Sequence, residues 1–469
     1  METKELYFKR MAVVPRSIQG RFRRFKSGVL GLGFAVYFLL PWLPWARPDA
    51  PSQAVMFDIP GRRYLIFGLT IHPQDVFWLA LLLFIAAVFL FFMTALVGRA
   101  FCGYFCFQTL WTDAFIWLEK WFQGERPARL RLMREPWSSR EKLLRVGGTR
   151  LAWGLVSAWT ALTFVLYFGH APSLLADIFT GRAPAAAYIT TLVLTGTTYL
   201  AAGVLREQVC TFICPYGRFQ SAMYDPETLT VHYDARRGEG PAGRMAARAG
   251  LRARADRAAA GHGDCVDCAL CVQVCPVGID IRDGLQSTCI SCGLCVDACD
   301  TIMDKMGWPR GLIRYDSETN LRRSEPGPAR LHWRSLKVLG YGVSLVLMLA
   351  YLVYDMGHRA SFEHSVQQIR QPLFVVLSDG SIRNRYQIRL TNISGSVQEY
   401  TIGARGLPPQ ALDLGNFEKV RIRNGKSVIV QASVRLSPAA ARATQEFAFV
   451  IRDGRGHEVV DGARFFTQH

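Results

Sequence analysis

Five stretches of the chain lose nearly all their polar positions. The clearest, Val76 to Val97, holds no charged side chain, and Val29 to Trp45, Leu151 to Phe168, Tyr188 to Leu205 and Val338 to Tyr354 resemble it. At ~1.5 Å of rise per residue, ~20 apolar residues cross the ~30 Å core of a bilayer. Each run therefore predicts a transmembrane helix. A buried core helix is the competing reading, most serious for Val338 to Tyr354. Arginine flanks and Tyr or Trp near the run ends favour insertion for all five. Signal-peptide cleavage is not expected, because Val29 lies far in and is followed by Pro41 and Pro44 rather than small residues.

Beyond the fifth run the pattern shortens. β-rich segments occur at Phe374 to Leu377, Tyr386 to Leu390, Val428 to Leu436 and Phe447 to Ile451. Asp379-Gly380, Asn424-Gly425, Asp453-Gly454 and Asp461-Gly462 stand as turn dipeptides around them. Residues 359–469 thus read as an immunoglobulin-like β-sandwich. No catalytic constellation is visible in it, so docking is the modest inference.

Composition narrows the class. Of 469 residues, 50% are hydrophobic and 20% charged, which excludes a disordered chain, and the segregation of the apolar runs excludes a soluble single-domain enzyme. The net charge of +18 is unevenly placed. Lys plus Arg number 8 in 1–28, 10 in 98–150 and 18 in 206–337, against 3 in 47–75 and 1 in 169–187. That alternation predicts a cytoplasmic N-terminus, cytoplasmic segments 98–150 and 206–337, and a tail outside. The tail's own basic residues do not oppose this, since long domains translocate largely regardless of charge. Topology explains the charge, and no nucleic-acid recognition motif accompanies it.

None of the 12 cysteines lies in the tail, where disulfides would be permitted. Eight follow a repeated spacing, C-x2-C-x2-C-x3-C: Cys265, Cys268, Cys271, Cys275, then Cys289, Cys292, Cys295, Cys299. This is the tandem bacterial ferredoxin pattern for two [4Fe–4S] clusters, in which the fourth cysteine of each run serves the other cluster. One cluster would take Cys265, Cys268, Cys271 and Cys299; the other would take Cys289, Cys292, Cys295 and Cys275. Zinc is the alternative for paired C-x2-C motifs, but rarely in this eight-cysteine layout. Asp300 stands where a proline would follow Cys299.

The other four form two C-x3-C pairs, Cys102/Cys106 after the second run and Cys210/Cys214 after the fourth. On a helix, positions four apart share a face, so each pair would present both thiols together. Two adjacent spans can then converge four thiols on one site. Cytosolic thiols stay reduced, and soft thiolates select Cu(I). Ordinary buried membrane cysteines are the bland alternative. Arg206 and Arg218 flank the second pair and would lower its thiol pKa values, although lipid anchoring suits Arg206 as well. His72 and His170, near span ends, read as interfacial packing without a visible partner ligand. Met303 and Met306 read as core.

The stretches CGYFCFQTLWTD, CTFICPYGRFQSAMYD, GDCVDCALCVQVCPVGIDIRDGLQ, CISCGLCVDACDTIMDKMGWPRGLIRY and SDGSIRNRYQIRLTN resemble the cytochrome c oxidase accessory proteins of the CcoG/FixG type. The resemblance covers nearly the whole chain. It implies a bacterial inner-membrane polyferredoxin with an Ig-like tail. It further implies a cupric reductase supplying Cu(I) to a cbb3-type oxidase, with that oxidase's subunits and assembly factors as partners. Copper would be substrate or transient ligand at Cys102, Cys106, Cys210 and Cys214. Two departures stand out: Phe107 replaces a proline usual after the first pair, and Gly243 to Ala260 is an Ala/Arg-rich insertion, read as a solvated or membrane-surface helix. The expected organisation is a basic N-terminus (1–28), a four-span membrane domain (29–232), an Ala/Arg-rich linker (233–263), the ferredoxin domain (264–325), the fifth span (338–355) and a periplasmic domain (359–469). Rival readings are a copper-free relay resembling polyferredoxins of nitrate and nitrous-oxide reduction (NapH/NosR type), and a redox-sensing assembly scaffold. The electron donor stays open.

Overall fold

The computed structural model describes residues 13–47, 51–72, 75–246, 253–323, 328–358, 362–394, 396–408 and 410–467. Five helices in it are long and apolar enough to cross a membrane: Arg21–Trp42, Val76–Val97, Arg140–Leu166, Ala185–Leu205 and Leu336–Gly357. They match the five predicted runs. The first begins earlier than expected, because Arg21 to Lys26 are helical rather than a basic tail.

The membrane helices lead directly into the polar elements. Helix α1 (Arg21–Leu39) is followed by α2 (Val76–Val97), the single turn α3 (Ala100–Tyr104) and α4 (Phe107–Gln123). Then come α5 (Arg126–Arg134), α6 (Arg140–Leu166), α7 (Ala171–Phe179) and α8 (Ala185–Thr198). Ser139 caps α6 by accepting from the Lys142 N–H, and Glu141 sits in its first turn, where the dipole favours an acid. One core joins these helices: Trp111 and Phe115 of α4, Trp153 of α6 and Ala202 beyond α8, with Phe34 and Tyr37 of α1 against it. Trp111 donates to Thr160 Oγ1 at 2.9 Å, so its buried N–H is satisfied.

A π-helical stretch, Tyr199–Leu205, continues α8, and a second, Val209–Ile213, precedes α9 (Pro215–Ala222). Between them Arg206 is held at φ 44°, a region non-glycine residues rarely enter. Local strain and π-turns of this kind concentrate at functional sites.

The ferredoxin module starts earlier than the cysteine spacing suggested. Strand Thr230–Tyr233 pairs antiparallel with Ile313–Asp316, Val231 opposite Tyr315. The backbone N–H of Cys265 bonds to Gly238 O at 3.1 Å. Residues 233–246 are therefore part of the module, not a free linker. Residues 247–252 of the Ala/Arg-rich insertion lie outside the described residues. Its helix, Arg254–Ala259, is not simply solvated: Arg257 is buried and donates to the carbonyls of Met245 at 2.8 Å and Cys265 at 3.1 Å.

The tail is a sandwich of two antiparallel sheets. One contains Phe362–Gln368, Ile382–Asn392, Ser427–Leu436 and Leu412–Asp413; the other contains Lys419–Ile422, Gln398–Arg405, Glu446–Asp453 and Glu458–Arg464. Alternate residues, among them Tyr386, Ile388, Leu390, Ile402 and Phe449, fill its core. Asp461-Gly462 is no turn. Both lie inside the last strand, with Gly462 opposite Ala448.

Candidate redox centre

Both ferredoxin loops bend in the same unusual way. In the first, Asp267 and Ala269 have φ of 46° and 51°; in the second, Ser291 and Gly293 have 49° and 69°. Matched left-handed residues two apart turn successive N–H groups toward one side, the backbone nest that suits an anionic cluster. Short helices then carry Cys271 (Leu270–Gln273) and Cys295 and Cys299 (Leu294–Met306).

Two small cavities result. One is lined by Cys265, Cys268, Cys271 and Cys299 with Ile302, Met303 and Ile313. The other is lined by Cys275, Cys289, Cys292 and Cys295, with Cys271 at its edge, among Val277, Ile279 and Ile281. Four thiols, an apolar wall and a nest fit an iron–sulfur cube at each place. Burial pushes the Cys271 and Cys299 thiols up to about 12, so ligation must supply the charge that thiolates otherwise lack here. Asp300, in place of proline, does not end the helix after Cys299; its carboxylate accepts the Gly311 N–H at 3.1 Å. Met303 packs in the module core and Met306 lies against it.

The four remaining cysteines adopt a geometry the spacing did not predict. Neither pair lies on one continuous helix. Cys102 sits in α3, whereas Cys106 is the extended N-cap of α4 (φ −65°, ψ 130°). Cys210 sits in the π-turn, whereas Cys214 is the extended N-cap of α9 (φ −74°, ψ 111°). Pro215 explains the second break, since a residue before proline is pushed out of the helical region. Phe107 keeps the same break without a proline and stacks on Trp111 at 4.0 Å, so that substitution leaves the local fold intact. The same-face argument therefore fails, and the two pairs are related instead by the packing of their segments: the Cys102 thiol donates to Gln220 Oε1 of α9, the helix that Cys214 caps, at 3.1 Å.

Burial raises the Cys210 thiol to about 12 and the Cys102 thiol to about 11. The cation that opposes this is Arg99, not Arg206. Arg206 instead pairs with Glu119 and bonds to Gly203 O at 2.8 Å. The side chain of Arg218 lies outside the described residues. Arg99 is buried and also donates to the carbonyl of Ser287, two residues before Cys289. Nothing in the spacing marked Arg99; its place between a span end and a C-x3-C pair was the available clue.

This thiol group abuts the second ferredoxin loop. A Cβ on Gly103 would lie 2.6 Å from Ile290 O and 3.0 Å from Cys292 Cα, so only glycine fits between Cys102 and Tyr104. Tyr104 donates to Cys292 O at 2.8 Å. Cys210 shares a cavity of about 30 Å³, room for a water, with Pro276 and Ile290. Among the described residues no three His, Cys, Asp or Glu stand close enough to hold a single ion. His170 caps α7 and bonds Ser173 Oγ at 3.1 Å. The His72 N–H bonds Asp75 Oδ2 at 2.9 Å, and its ring lies near Gly425. Neither joins the thiols.

Fold and site together define a membrane-bound iron–sulfur electron carrier with a dicluster ferredoxin module and an Ig-like tail. Family comparison agrees in each part. A "4Fe-4S dicluster domain" matches residues 205–318, a "4Fe-4S binding domain" residues 79–127, and the "IG-like fold at C-terminal of FixG" residues 352–468. The chain is 38% identical to the nitrogen fixation protein FixG of Rhizobium meliloti over 97% of its own length and 92% of that protein's. It is 42% identical to Protein RdxB of Cereibacter sphaeroides over 88% of this chain and 86% of that one, and 43% identical to Protein RdxA of the same organism over 86% and 85%. The chain belongs to the FixG/CcoG family.

Proposed function

We propose that the chain reduces Cu(II) to Cu(I) at Cys102, Cys106, Cys210 and Cys214, for the copper centre of a cbb3-type oxidase. The observation that carries this reading is the close approach of the thiol group to the second ferredoxin loop, where Gly103 meets Ile290 and Tyr104 meets Cys292. Each event adds one electron to Cu²⁺ and exchanges no proton. The [4Fe–4S] clusters, held by Cys265, Cys268, Cys271 and Cys299 and by Cys289, Cys292, Cys295 and Cys275, supply one-electron storage. The thiols supply softness: sulfur ligands favour the cuprous product over the cupric substrate. Arg99 opposes only part of the burial that raises Cys102 to about 11, so copper binding would have to displace the thiol proton.

In this reading the protein sits in a bacterial inner membrane, with N-terminus and ferredoxin module cytoplasmic. The Ig-like tail is periplasmic, placed to meet oxidase subunits or assembly factors. A copper-free relay would use the same clusters without metal at the thiols. The test is anaerobic addition of Cu(II) to cluster-reduced protein freed of excess dithionite, with a Cu(I)-specific chelator added after copper retention is measured. Cu(I) formed in step with cluster oxidation, and copper retained on the chain, support the proposal. Neither occurring leaves the relay.

A further inference from the structure

A cavity of about 730 Å³ lies between α4, α5, α6 and the π-helical continuation of α8. Its wall changes character along α6. Lys142 and Arg150 line it where that helix is still polar, and Trp153, Tyr199 and Val204 line it where the helices are apolar. Such a cavity suits a ligand with a polar ring and an apolar chain. At its inner end Arg206 and Glu207 line both this cavity and the small one that holds Cys210.

We propose that this cavity binds a lipid-soluble quinol, the electron donor that the fold otherwise leaves unspecified. The basic groups of the lining are engaged by other parts of the chain. The guanidinium groups of Arg129 and Arg206 are both engaged by Glu119. Lys142 donates to the carbonyls of Met133 and Glu135 and lies over the Trp137 ring, 4.7 Å from its centroid. Arg150 lies over the same ring at 5.2 Å. The basic groups are thus engaged within the protein and not held free to clamp a phosphate. A quinol hydroxyl instead donates a hydrogen bond to a carboxylate, and its ring packs on Trp153 or Tyr199. The strained Arg206 and the two π-helical turns fall at the junction between this cavity and Cys210.

Oxidation balances as one quinol giving one quinone, two protons and two electrons. Each [4Fe–4S] cluster held by the ferredoxin cysteines would offer room for one of the two electrons, while Glu207 accepts the first proton and the second leaves to solvent. This rests on the chain's role as an electron carrier, not on the copper proposal.

The full-length protein in detergent or nanodiscs, held anaerobic, supplies the test. Decylubiquinone binding is followed by calorimetry, and cluster reduction by decylubiquinol is followed by EPR. The native chain should bind saturably and its clusters should be reduced. The cavity-filling pair V146F/V204F should lose both binding and quinol-driven reduction while dithionite still reduces the clusters. E207Q should keep binding and slow quinol oxidation by about a hundredfold. If V146F/V204F loses its clusters, E207Q alone decides. Unchanged quinol oxidation in both variants, or displacement of decylubiquinone by phosphatidylglycerol at lower concentration, overturns the assignment. Copper reduction driven by dithionite would survive that failure, so the two proposals fall separately.

Discussion

The hydroxyl of Tyr104 donates to the backbone carbonyl of Cys292 at 2.8 Å, joining the first C-x3-C segment to the second ferredoxin loop. One residue earlier, Gly103 leaves no room for a side chain against Ile290. Electron transfer depends on such proximity, and Gly103→Ala should disturb it most. Its methyl would meet rigid backbone, so separation of the loops is expected, with loss of about 1–3 kcal/mol from overpacking. Tyr104→Phe removes only the hydrogen bond, about 1 kcal/mol. Thermal melts followed by cluster absorbance should rank native above Y104F above G103A. Equal melting of native and G103A would mean the two segments do not meet.

Crossed ligation gives a second prediction. Cys299→Ala should damage the cluster built on Cys265, Cys268 and Cys271, the cysteines that share its cavity. Cys275→Ala should damage the one built on Cys289, Cys292 and Cys295. Iron analysis with EPR of each variant decides. Loss of the opposite signal in either case would show that each run of four ligates its own cluster.

Much of this was legible in the chain, for reasons specific to each element. Apolar runs announce spans because lipid leaves no polar alternative, and repeated thiol spacing announces cubes. The start of α1 was hidden because Arg23 and Lys26 look like a basic flank. In the fold they pair with Asp113 of α4 at 2.9 and 3.4 Å, and Lys26 is buried. Five strands of the tail were missed, among them Gln398–Arg405 and Glu458–Arg464, because polar residues and Gly403 or Gly462 interrupt their alternation. The continuous-helix argument for the four remaining thiols fails, because Cys106 and Cys214 cap new helices instead of extending the old ones.

His232 makes the ferredoxin module pH-sensitive. Its side chain is largely buried beside Thr230, and burial lowers its pKa from the ordinary 6.5. A lowered histidine favours the neutral form in the folded state, so its contribution is fully present above pH 6.5 and is lost as pH falls toward the folded value. Melting temperature should therefore drop as pH falls below 6.5, and His232→Gln should flatten that slope. An identical slope in H232Q would assign the dependence to another group.

Arg99→Leu should raise the pKa of the Cys102 thiol further, because the buried cation that favours its thiolate is gone. Alkylation of Cys102 by iodoacetamide in cluster-loaded protein should slow at a fixed alkaline pH. Unaltered alkylation would remove Arg99 from the electrostatics of the site.

Copper reduction by the variant with Cys102, Cys106, Cys210 and Cys214 all replaced by serine tests the central claim most directly. Serine keeps roughly the thiol's size but is a poor ligand for a soft cuprous ion and forms no disulfide. Iron content should stay at about eight per chain, with both clusters reducible by dithionite. Cu(II) reduction and Cu(I) retention should be lost. Native rates of copper reduction in that variant, with both clusters intact, would contradict the assignment of copper chemistry to these thiols.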